Sequence, residues 1–298
     1  MPTVLAAADI GSNTVHLLVA NIGLTGLQRL SNDSEWLSLG QVVSHTGEIP
    51  KEIVGRLVST LTEFKAKAKS LDAGGLYVFA TEAVRKAKNH KEVLRFVRKE
   101  TGLEVDVITP RREAELGLKG ALLDCPKQGK FLFAETGGGS VQVAICDGLE
   151  ILEETSMPIG TGVLIDQAEG ATKSVEAMKE IIEKAISEIP NNESVAQILA
   201  SGGVARGLWR ALHPDGDPII HQEELEFLLW STSRLNQKTI SNRYRVKGKR
   251  AVTLLPGSLI YLALMQKFQT SELTVSQFGV REGAILELSQ GKIDPCAL

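Results

Sequence analysis

Residues 8–19 read ADIGSNTVHLLV, and residues 134–145 read AETGGGSVQVAI. The two stretches align without a gap, so that Asp9 aligns with Glu135. Each has an apolar run that ends in a carboxylate, then a glycine-containing turn, then a second apolar run, which is typical of two strands joined by a tight turn. Because the same pattern occurs once in each half of the chain, we predict two similar domains that face each other across a cleft.

The rest of the chain alternates between strand and helix patterns. Helical spacing of apolar residues predicts helices at residues 50–70, 90–102, 112–123, 174–189, 223–235 and 257–269. Short apolar runs predict strands at residues 75–81, 103–109 and 196–203, and residues 272–288 are predicted to form a strand, a turn and a helix. Strands that alternate with helices in this way indicate the α/β class.

A break in the pattern near residues 120–130, where Cys125-Pro126 and Gln128-Gly129 occur, marks the predicted domain boundary. We therefore expect an N-terminal domain over residues 1–124 and a C-terminal domain over residues 125–298.

The composition excludes several classes of protein. The chain has 298 residues, 43% of them hydrophobic, and a net charge of −3, so no general basic field attracts nucleic acid or a membrane surface. Its three cysteines are scattered, which argues against a disulfide framework or a zinc site. No secretory signal or uncharged membrane-spanning stretch is visible in the sequence. We expect a cytoplasmic protein with neither nucleic-acid nor membrane partners.

The two glycine turns are suited to hold phosphate. A turn without Cβ atoms lets successive backbone N–H groups point toward one anion. The predicted phosphate-binding residues are Gly11, Ser12, Asn13 and Thr14 in the first turn and Gly137, Gly138, Gly139 and Ser140 in the second. The acids before the turns, Asp9 and Glu135, can hold Mg²⁺, which bridges to phosphate oxygens. The spacing matches neither a Walker A loop nor GxGxxG.

Five blocks along the chain together resemble the exopolyphosphatase/guanosine pentaphosphate phosphohydrolase family (Ppx/GppA): ADIGSNTVHLLVA (8–20), ATEAVRKAKN (80–89), REAEL (112–116), ETGGGSVQVAI (135–145) and GVREG (279–283). The resemblance implies two ribonuclease-H-like domains of the actin/hexokinase/Hsp70 ATPase superfamily around a cleft. The length is similar to that of the short, two-domain members.

The resemblance also implies a reaction and the residues that carry it. Family members use Mg²⁺ and water to remove a terminal phosphoryl group from polyphosphate or from guanosine pentaphosphate, and they are often homodimers. The substrate is thus expected to be polyphosphate or a guanosine penta- or tetraphosphate. Glu113 matches the glutamate that activates water, and Arg85 matches an arginine that contacts phosphate. Arg281, in the last block, is expected to support the site.

Four residues depart from the family pattern. Glu135 replaces an aspartate, Gln142 replaces an acid, Pro110 replaces a glycine and Glu115 replaces an arginine. These changes keep an alternative open, a catalytically weakened protein that binds polyphosphate or an alarmone. A third alternative is an ATP-binding or kinase-like protein of the same superfamily.

Overall fold

The structure is a computed structural model, and it describes residues 3–24, 26–169, 175–190, 195–214 and 216–298. The chain divides into two compact units. The first unit comprises Met1–Leu123 together with Val280–Leu298, and the second comprises Asp124–Gly279. Each unit has its own sheet and is described separately.

The first unit is built on a five-stranded sheet. Its strands are β1 (Thr3–Ile10), β2 (Thr14–Gly23), β3 (Gly26–Trp36), β4 (Leu76–Ala80) and β5 (Val105–Val107). Its helices are α1 (Leu39–Thr46), α2 (Lys51–Ser70), α3 (Glu82–Lys86), α4 (His90–Thr101), α5 (Pro110–Ala121) and, from the end of the chain, α12 (Val280–Ser289). The strand order is β3-β2-β1-β4-β5, and only β2 runs antiparallel to the other strands.

The second unit is built on a six-stranded sheet. Its strands are β6 (Lys130–Thr136), β7 (Val141–Asp147), β8 (Glu150–Met157), β9 (Ile198–Ser201), β10 (Ile219–His221) and β11 (Glu272–Val275). Its helices are α6 (Thr161–Glu169), α7 (Val175–Ser187), α8 (Gly202–Leu212), α9 (Gln222–Thr232), α10 (Gln237–Arg243) and α11 (Gly248–Phe268). The strand order is β10-β11-β9-β6-β7-β8.

The two sheets share one topology. Strands β6, β7, β8, β9 and β11 of the second unit repeat the order and directions of β1 to β5, and β10 is an added antiparallel edge strand. In each sheet the first strand starts an antiparallel meander of three strands on one side and pairs with parallel strands on the other. This is the ribonuclease-H-like arrangement. The predicted fold class, α/β with two such domains, is confirmed.

The assignment of residues 125–298 to one domain is corrected at its C-terminal end. Residues 280–298 belong to the first unit, because α12 packs against α5 and β1. Helix α12 comes so close to α5 that a Cβ at Gly283 would overlap the carbonyl oxygen of Leu116. Buried Ile285 and Leu288 join the apolar cluster on that face of the sheet, and Glu282 forms an ion pair with Arg29 over 2.7 Å.

Helix α11 is the one helix in the described residues that is long and apolar enough to cross a membrane by length and composition. It has 21 residues, and 67% of its most apolar window is buried inside the protein. Its side chains at Ile260, Tyr261 and Leu264 are fully buried in the core of the second unit. A buried core helix passes the same test, so its hydropathy is explained by packing.

Candidate functional site

The first turn joins β1 to β2 and leaves backbone donors open beside Asp9. The Gly11 N–H donates to the Thr14 carbonyl oxygen over 3.1 Å, which closes the turn. The carbonyl oxygens of Ser12 and Asn13 accept hydrogen bonds of 2.7–3.0 Å from backbone N–H groups around the start of α1. The N–H groups of Ser12 and Asn13 have no acceptor among the described residues. They are therefore available to an anion.

The second turn, between β6 and β7, has the same construction. The Gly137 N–H donates to the Ser140 carbonyl oxygen over 2.9 Å. Backbone N–H groups around the start of α6 donate to the carbonyl oxygens of Gly137, Gly138 and Gly139 over 2.9–3.3 Å. A Cβ at Gly160 would overlap the Gly138 carbonyl group, so this approach requires glycine. Within the described chain, the N–H groups of Gly138 and Gly139 have no acceptor.

The two acids occupy equivalent positions in their sheets. Asp9 pairs across the strands with His16, and Glu135 pairs with Gln142. In each case the acid is followed two residues later by the glycine whose N–H closes the turn. The internal repeat inferred from the sequence is thus present in the backbone of both units.

The carboxylate of Asp9 is buried and incompletely hydrogen-bonded. Its Oδ1 atom is buried and, among the described residues, has no hydrogen-bond partner. Burial raises the pKa of Asp9 to about 6, and the nearby Arg281 guanidinium opposes that rise. Arg281 is itself fixed by donating to the Asn32 side-chain oxygen over 2.8 Å. An unpaired carboxylate oxygen in such a place is the type of ligand that a hard divalent cation prefers.

Glu135 lies in a glycine-lined part of the second unit. A Cβ at Gly202 would come within 3.3 Å of Glu135 Cγ, and a Cβ at Gly279 would come within 3.6 Å of Glu135 Oε1. Gly202 also has a positive φ of 90°, which favours glycine there. The described residues contain no group of three or more His, Cys, Asp or Glu side chains that could hold a metal. The assignment of Asp9 and Glu135 as Mg²⁺ ligands therefore stays a prediction.

Glu113 belongs to a compact charged cluster in the first unit. Helix α5 begins at Pro110 with Thr109 as its N-cap, and Glu113 lies in its first turn. Both terminal nitrogens of Arg85 donate to Glu113 Oε2 over 3.1 Å, and one of them also donates to Glu82 over 3.0 Å. The three side chains are only 13–15% exposed. Arg85 and Glu113 were both predicted to belong to the site. Glu82 was not predicted, and the structure shows that it shares Arg85 with Glu113.

The cluster adjusts the proton affinity of Glu113. Burial raises the pKa of Glu113 to about 7, the Arg85 guanidinium opposes the rise, and the negative charges of Asp9 and Glu82 support it. By contrast, hydrogen bonds from Lys86 and Arg85 outweigh burial at Glu82 and lower its pKa. A carboxylate with a pKa near neutrality can accept a proton at physiological pH and release it again. This is the property that a general base requires.

Arg85 has a different set of partners from the one the sequence suggested. Its guanidinium donates to Glu82, to Glu113 and, over 2.6 Å, to the Ile108 carbonyl oxygen. The structure therefore brings Arg85 to the predicted base. Its direct contact with phosphate stays a prediction.

Three of the four departures from the family pattern have local explanations. Pro110 occupies the first turn of α5, where its missing N–H costs nothing. Glu115 forms ion pairs with Arg111 over 3.3 Å and Arg112 over 3.5 Å, so its charge is locally compensated. Gln142 is buried, and its amide donates to the Ser140 hydroxyl over 3.1 Å, which orients a residue of the second turn.

Arg250 is a candidate that sequence reasoning did not single out. Its guanidinium lies against Gly203 at the start of α8, and its aliphatic part fills the space above Gly207. Among the described residues, the Arg250 guanidinium forms no hydrogen bond or ion pair, and burial together with the charge of Arg210 lowers the pKa of Arg250. In the sequence Arg250 is the last of five basic residues in eight positions, and nothing there distinguishes it from its solvated neighbours.

One cavity lies elsewhere in the second unit. It has a volume of about 710 Å³ and is lined by α7, α9, α11 and residues 269–271. None of the predicted site residues lines it, and its charged lining residues, Lys179, Glu183 and Glu226, have a net negative charge, which disfavours phosphate. It is therefore separate from the candidate site.

Comparison with known proteins agrees with the fold. The profile of the Ppx/GppA phosphatase family matches residues 18–291, and the chain belongs to this family. The resemblance drawn from the five sequence blocks is thus confirmed.

The relatives carry both activities associated with this family. The chain is 28% identical to "Exopolyphosphatase 1" of Mycobacterium bovis over 312 aligned positions, which cover 99% of this chain and 90% of that protein. It is 23% identical to a "Guanosine-5'-triphosphate,3'-diphosphate pyrophosphatase" of Photobacterium profundum, an alignment that covers 95% of this chain and 59% of that longer protein. The crystal structure of the Aquifex aeolicus family member superposes with a TM-score of 0.82 at 25% identity and covers 99% of this chain.

Proposed function

We propose that this protein is a Mg²⁺-dependent exopolyphosphatase that releases the terminal phosphate of inorganic polyphosphate, and that it also accepts the 5′-triphosphate end of guanosine pentaphosphate. The observation that carries the proposal is the pair of equivalent turns, each with open backbone donors beside a carboxylate. The names of the relatives supply the substrate class. A cytoplasmic location fits these substrates.

The turns act by binding phosphate oxygens. The N–H groups of Ser12 and Asn13 in one unit, and of Gly138 and Gly139 in the other, each donate to a phosphoryl oxygen. The Ser140 hydroxyl, held by Gln142, adds a side-chain donor. These backbone donors recognise phosphoryl oxygens, which both proposed substrates present.

Asp9 and Glu135 supply the carboxylate oxygens for Mg²⁺. The buried Asp9 Oδ1 atom without a hydrogen-bond partner among the described residues is the observation that fits a cation. When bound, Mg²⁺ neutralises charge on the phosphoryl oxygens. Arg281 is close enough to Asp9 to affect its pKa and therefore helps to keep this carboxylate ionised.

Glu113 accepts the proton of the attacking water. The water oxygen forms a bond to the terminal phosphorus while the bridging P–O bond breaks, and the shortened chain leaves with the bridging oxygen. Glu113 takes one proton from the water and later returns it to solvent. Arg85 holds the Glu113 carboxylate through hydrogen bonds to Oε2, which fixes the direction from which the proton is taken.

Phosphate release tests the proposal. Wild-type protein with Mg²⁺ is given polyphosphate or guanosine pentaphosphate, beside Glu113→Gln and a matched control, Glu115→Gln, on the same helix. We expect release by the wild type and by Glu115→Gln, and a loss of at least about a hundredfold in Glu113→Gln, the scale of general-base contributions. The better substrate identifies the main activity.

The same experiment decides between enzyme and binding protein. If neither substrate releases phosphate, while calorimetry shows that one of them binds, the protein is a polyphosphate or alarmone receptor and the catalytic proposal is wrong. In that case the longer side chain of Glu135 is the candidate cause, and Glu135→Asp, which restores the aspartate of the family pattern, should restore turnover.

A further inference from the structure

A basic segment around the start of α11 differs in charge from the rest of the chain. The 45 residues between Glu226 and Glu272 contain no Asp or Glu and eight Lys or Arg, in a chain with 36 acids and a net charge of −3. Five of the eight form the basic segment, residues 243–250: Arg243, Arg245, Lys247, Lys249 and Arg250. A local charge of this density attracts anions although the whole protein is slightly acidic.

The outer part of the basic segment is presented to solvent. Arg243 ends α10, Lys247 is the N-cap of α11, and Arg245 lies between them. All three residues are exposed. The Ser241 hydroxyl donates to the Val246 carbonyl oxygen over 2.5 Å, which ties the end of α10 to the residue before α11. The three positive side chains therefore project from a loop whose backbone is held in place.

The charges of these three side chains are uncompensated. In the part of the chain that the structure describes, Arg243, Arg245 and Lys247 form no ion pair. The basic residues of α4 differ in this respect, because acids lie beside them, and Arg98 pairs with Glu104 over 3.4 Å. The basic segment thus has positive charge available for an anionic ligand.

The inner end of the basic segment lies beside the acid of the second turn. The Arg250 guanidinium lies against Gly203, where a Cβ would come within 3.4 Å of its nearest nitrogen. At the preceding residue, Gly202, a Cβ would come within 3.3 Å of Glu135 Cγ. Lys247 lies one helical turn before Arg250, and its carbonyl oxygen accepts from the Arg250 N–H over 2.7 Å. The segment therefore leads from Glu135 to the surface of the second unit.

These features suit an anion that is charged along its whole length. Polyphosphate carries negative charge on every phosphate and has no base, so neutralisation of charge is what binds it. Single-stranded nucleic acid is held by stacking of its bases on aromatic rings as well as by charge. The basic segment has one aromatic residue, Tyr244, and the hydroxyl of that residue is buried. The segment therefore matches polyphosphate better than nucleic acid.

We propose that Arg243, Arg245 and Lys247 bind phosphates of polyphosphate that lie beyond the cleaved end, so that the protein binds long chains more tightly than short ones. The inference rests on the proposed function and adds a chain-length preference to it. Tripolyphosphate occupies the turns without reaching the basic segment. Long chains gain further contacts, and their binding depends more strongly on salt because each phosphate contact releases counterions.

Binding measured at several salt concentrations tests the proposal. The protein carries Glu113→Gln so that the ligands, long-chain polyphosphate and tripolyphosphate, stay intact. Arg243→Gln, Arg245→Gln and Lys247→Gln together should weaken long-chain binding at least about tenfold and reduce the slope of log affinity against log salt by about 2, as three lost contacts require. The affinity for tripolyphosphate should be unchanged. If it falls as much, the segment binds the cleaved end and the proposal is wrong.

The matched control removes the same number of charges from α4. Lys91→Gln, Arg95→Gln and Arg98→Gln together replace three exposed basic residues and change the net charge equally. This triple variant should keep the wild-type affinity for long chains. Thermal melting by circular dichroism confirms that both triple variants are folded. An equal loss in the two would show that only overall charge matters and would overturn the proposal.

Phosphate release distinguishes this inference from the proposed function. With Glu113 intact, the triple variant of the basic segment should keep its kcat and have a higher KM for long chains only. A wild type that releases no phosphate contradicts the proposed function, whereas an unchanged KM for long chains in the active triple variant contradicts this inference alone. If the triple variant loses binding of single-stranded RNA and keeps that of long-chain polyphosphate, the segment is a nucleic-acid site and the proposal is wrong.

Discussion

The buried carboxyl group of Glu113 binds its proton more tightly in the folded protein than in the unfolded chain. Its pKa is about 7 in the folded protein against an ordinary value of about 4.5, so between these pH values the folded state binds more protons than the unfolded state. The free energy of unfolding therefore falls as the pH rises from about 4.5 to about 7.

The variant Glu113→Gln removes this pH dependence, since glutamine does not ionise. We expect it to be more stable than wild type at pH 8, by up to about 3 kcal/mol, because each pKa unit corresponds to about 1.4 kcal/mol. At pH 4 the difference should vanish. Thermal melting of both proteins across this range, with EDTA present, measures it. An equal difference at pH 4 and pH 8 would show that Glu113 is not perturbed.

Arg85 should control the pH dependence of the reaction. The wild-type rate should rise with pH through about 7 as Glu113 ionises. Arg85→Ala removes the positive charge that lowers the pKa of Glu113, so the rising limb of the kcat/KM profile should move to higher pH. Lys86→Ala is the control, because Lys86 pairs with Glu82 and is 55% exposed. A profile that moves equally in both variants contradicts the role given to Arg85.

Some of the site residues could be predicted from the sequence, and others could not. The turn residues and Glu113 lie in contiguous blocks, so their chemistry and order were readable. The significance of Glu82 and Arg250 was not readable, because it depends on residues 31 and 47 positions away. Glu82 shares Arg85 with Glu113, and Arg250 lies against Gly203. Isolated acids and arginines on helices are common. Glu82 is distinguished by its burial beside the Arg85–Glu113 pair, and Arg250 by the burial of its guanidinium against Gly203.

At the scale of elements, the close contact of α12 with α5 depends on one glycine. Gly283→Ala places a methyl group where the Leu116 carbonyl oxygen lies, and this backbone atom cannot move without displacing α5. We expect a loss of about 3 kcal/mol, the upper part of the range for overpacking. Urea unfolding measures it.

The control is Gly55→Ala, which makes the same substitution within α2. A Cβ at Gly55 meets nothing within 4 Å. The change should therefore stabilise the protein by about 0.5–1 kcal/mol, the difference in helix propensity between the two residues. If both variants change the free energy of unfolding in the same direction, the close packing at Gly283 does not determine the effect of Gly283→Ala.

Two elements show where pattern reading failed. Strand β3 was not predicted, because its sequence GLQRLSNDSEW is polar and it lies at the edge of the sheet with alternate residues exposed. Helix α11 was predicted to begin at residue 257, but it begins at Gly248 and contains Pro256 in its interior. Proline usually ends a helix, and here buried packing on both sides outweighs that preference.

At the scale of the whole molecule, the last segment of the chain, Val280–Leu298, belongs to the first unit and covers one face of its sheet. A protein that ends at Gly279 lacks α12 and leaves the apolar face around Phe79 and Leu116 uncovered. We expect rapid amide hydrogen exchange in β1 to β5 of this truncated chain and native protection in β6 to β9. Protection of β1 to β5 without α12 would contradict this.

A circular permutant supplies the control for truncation. It begins at Val280, joins Leu298 to Met1 by a flexible linker and ends at Gly279. The backbone of Cys296 pairs with that of Leu76, and the Val4 carbonyl oxygen accepts a hydrogen bond from the Gly74 N–H. Both ends of the chain therefore lie close to residues 74–76, so a short linker suffices. The permutant should show native protection in both units, since all its residues are present.

The discontinuous first unit also has a consequence for biosynthesis. A ribosome releases the chain from its N-terminus, so β1 to β5 emerge first but wait for α12 until the entire second unit has been translated. Domains usually fold in the order in which they are synthesised. Here that order is reversed, because the nascent second unit can finish folding while the first still exposes one apolar face to the chaperones that meet new chains.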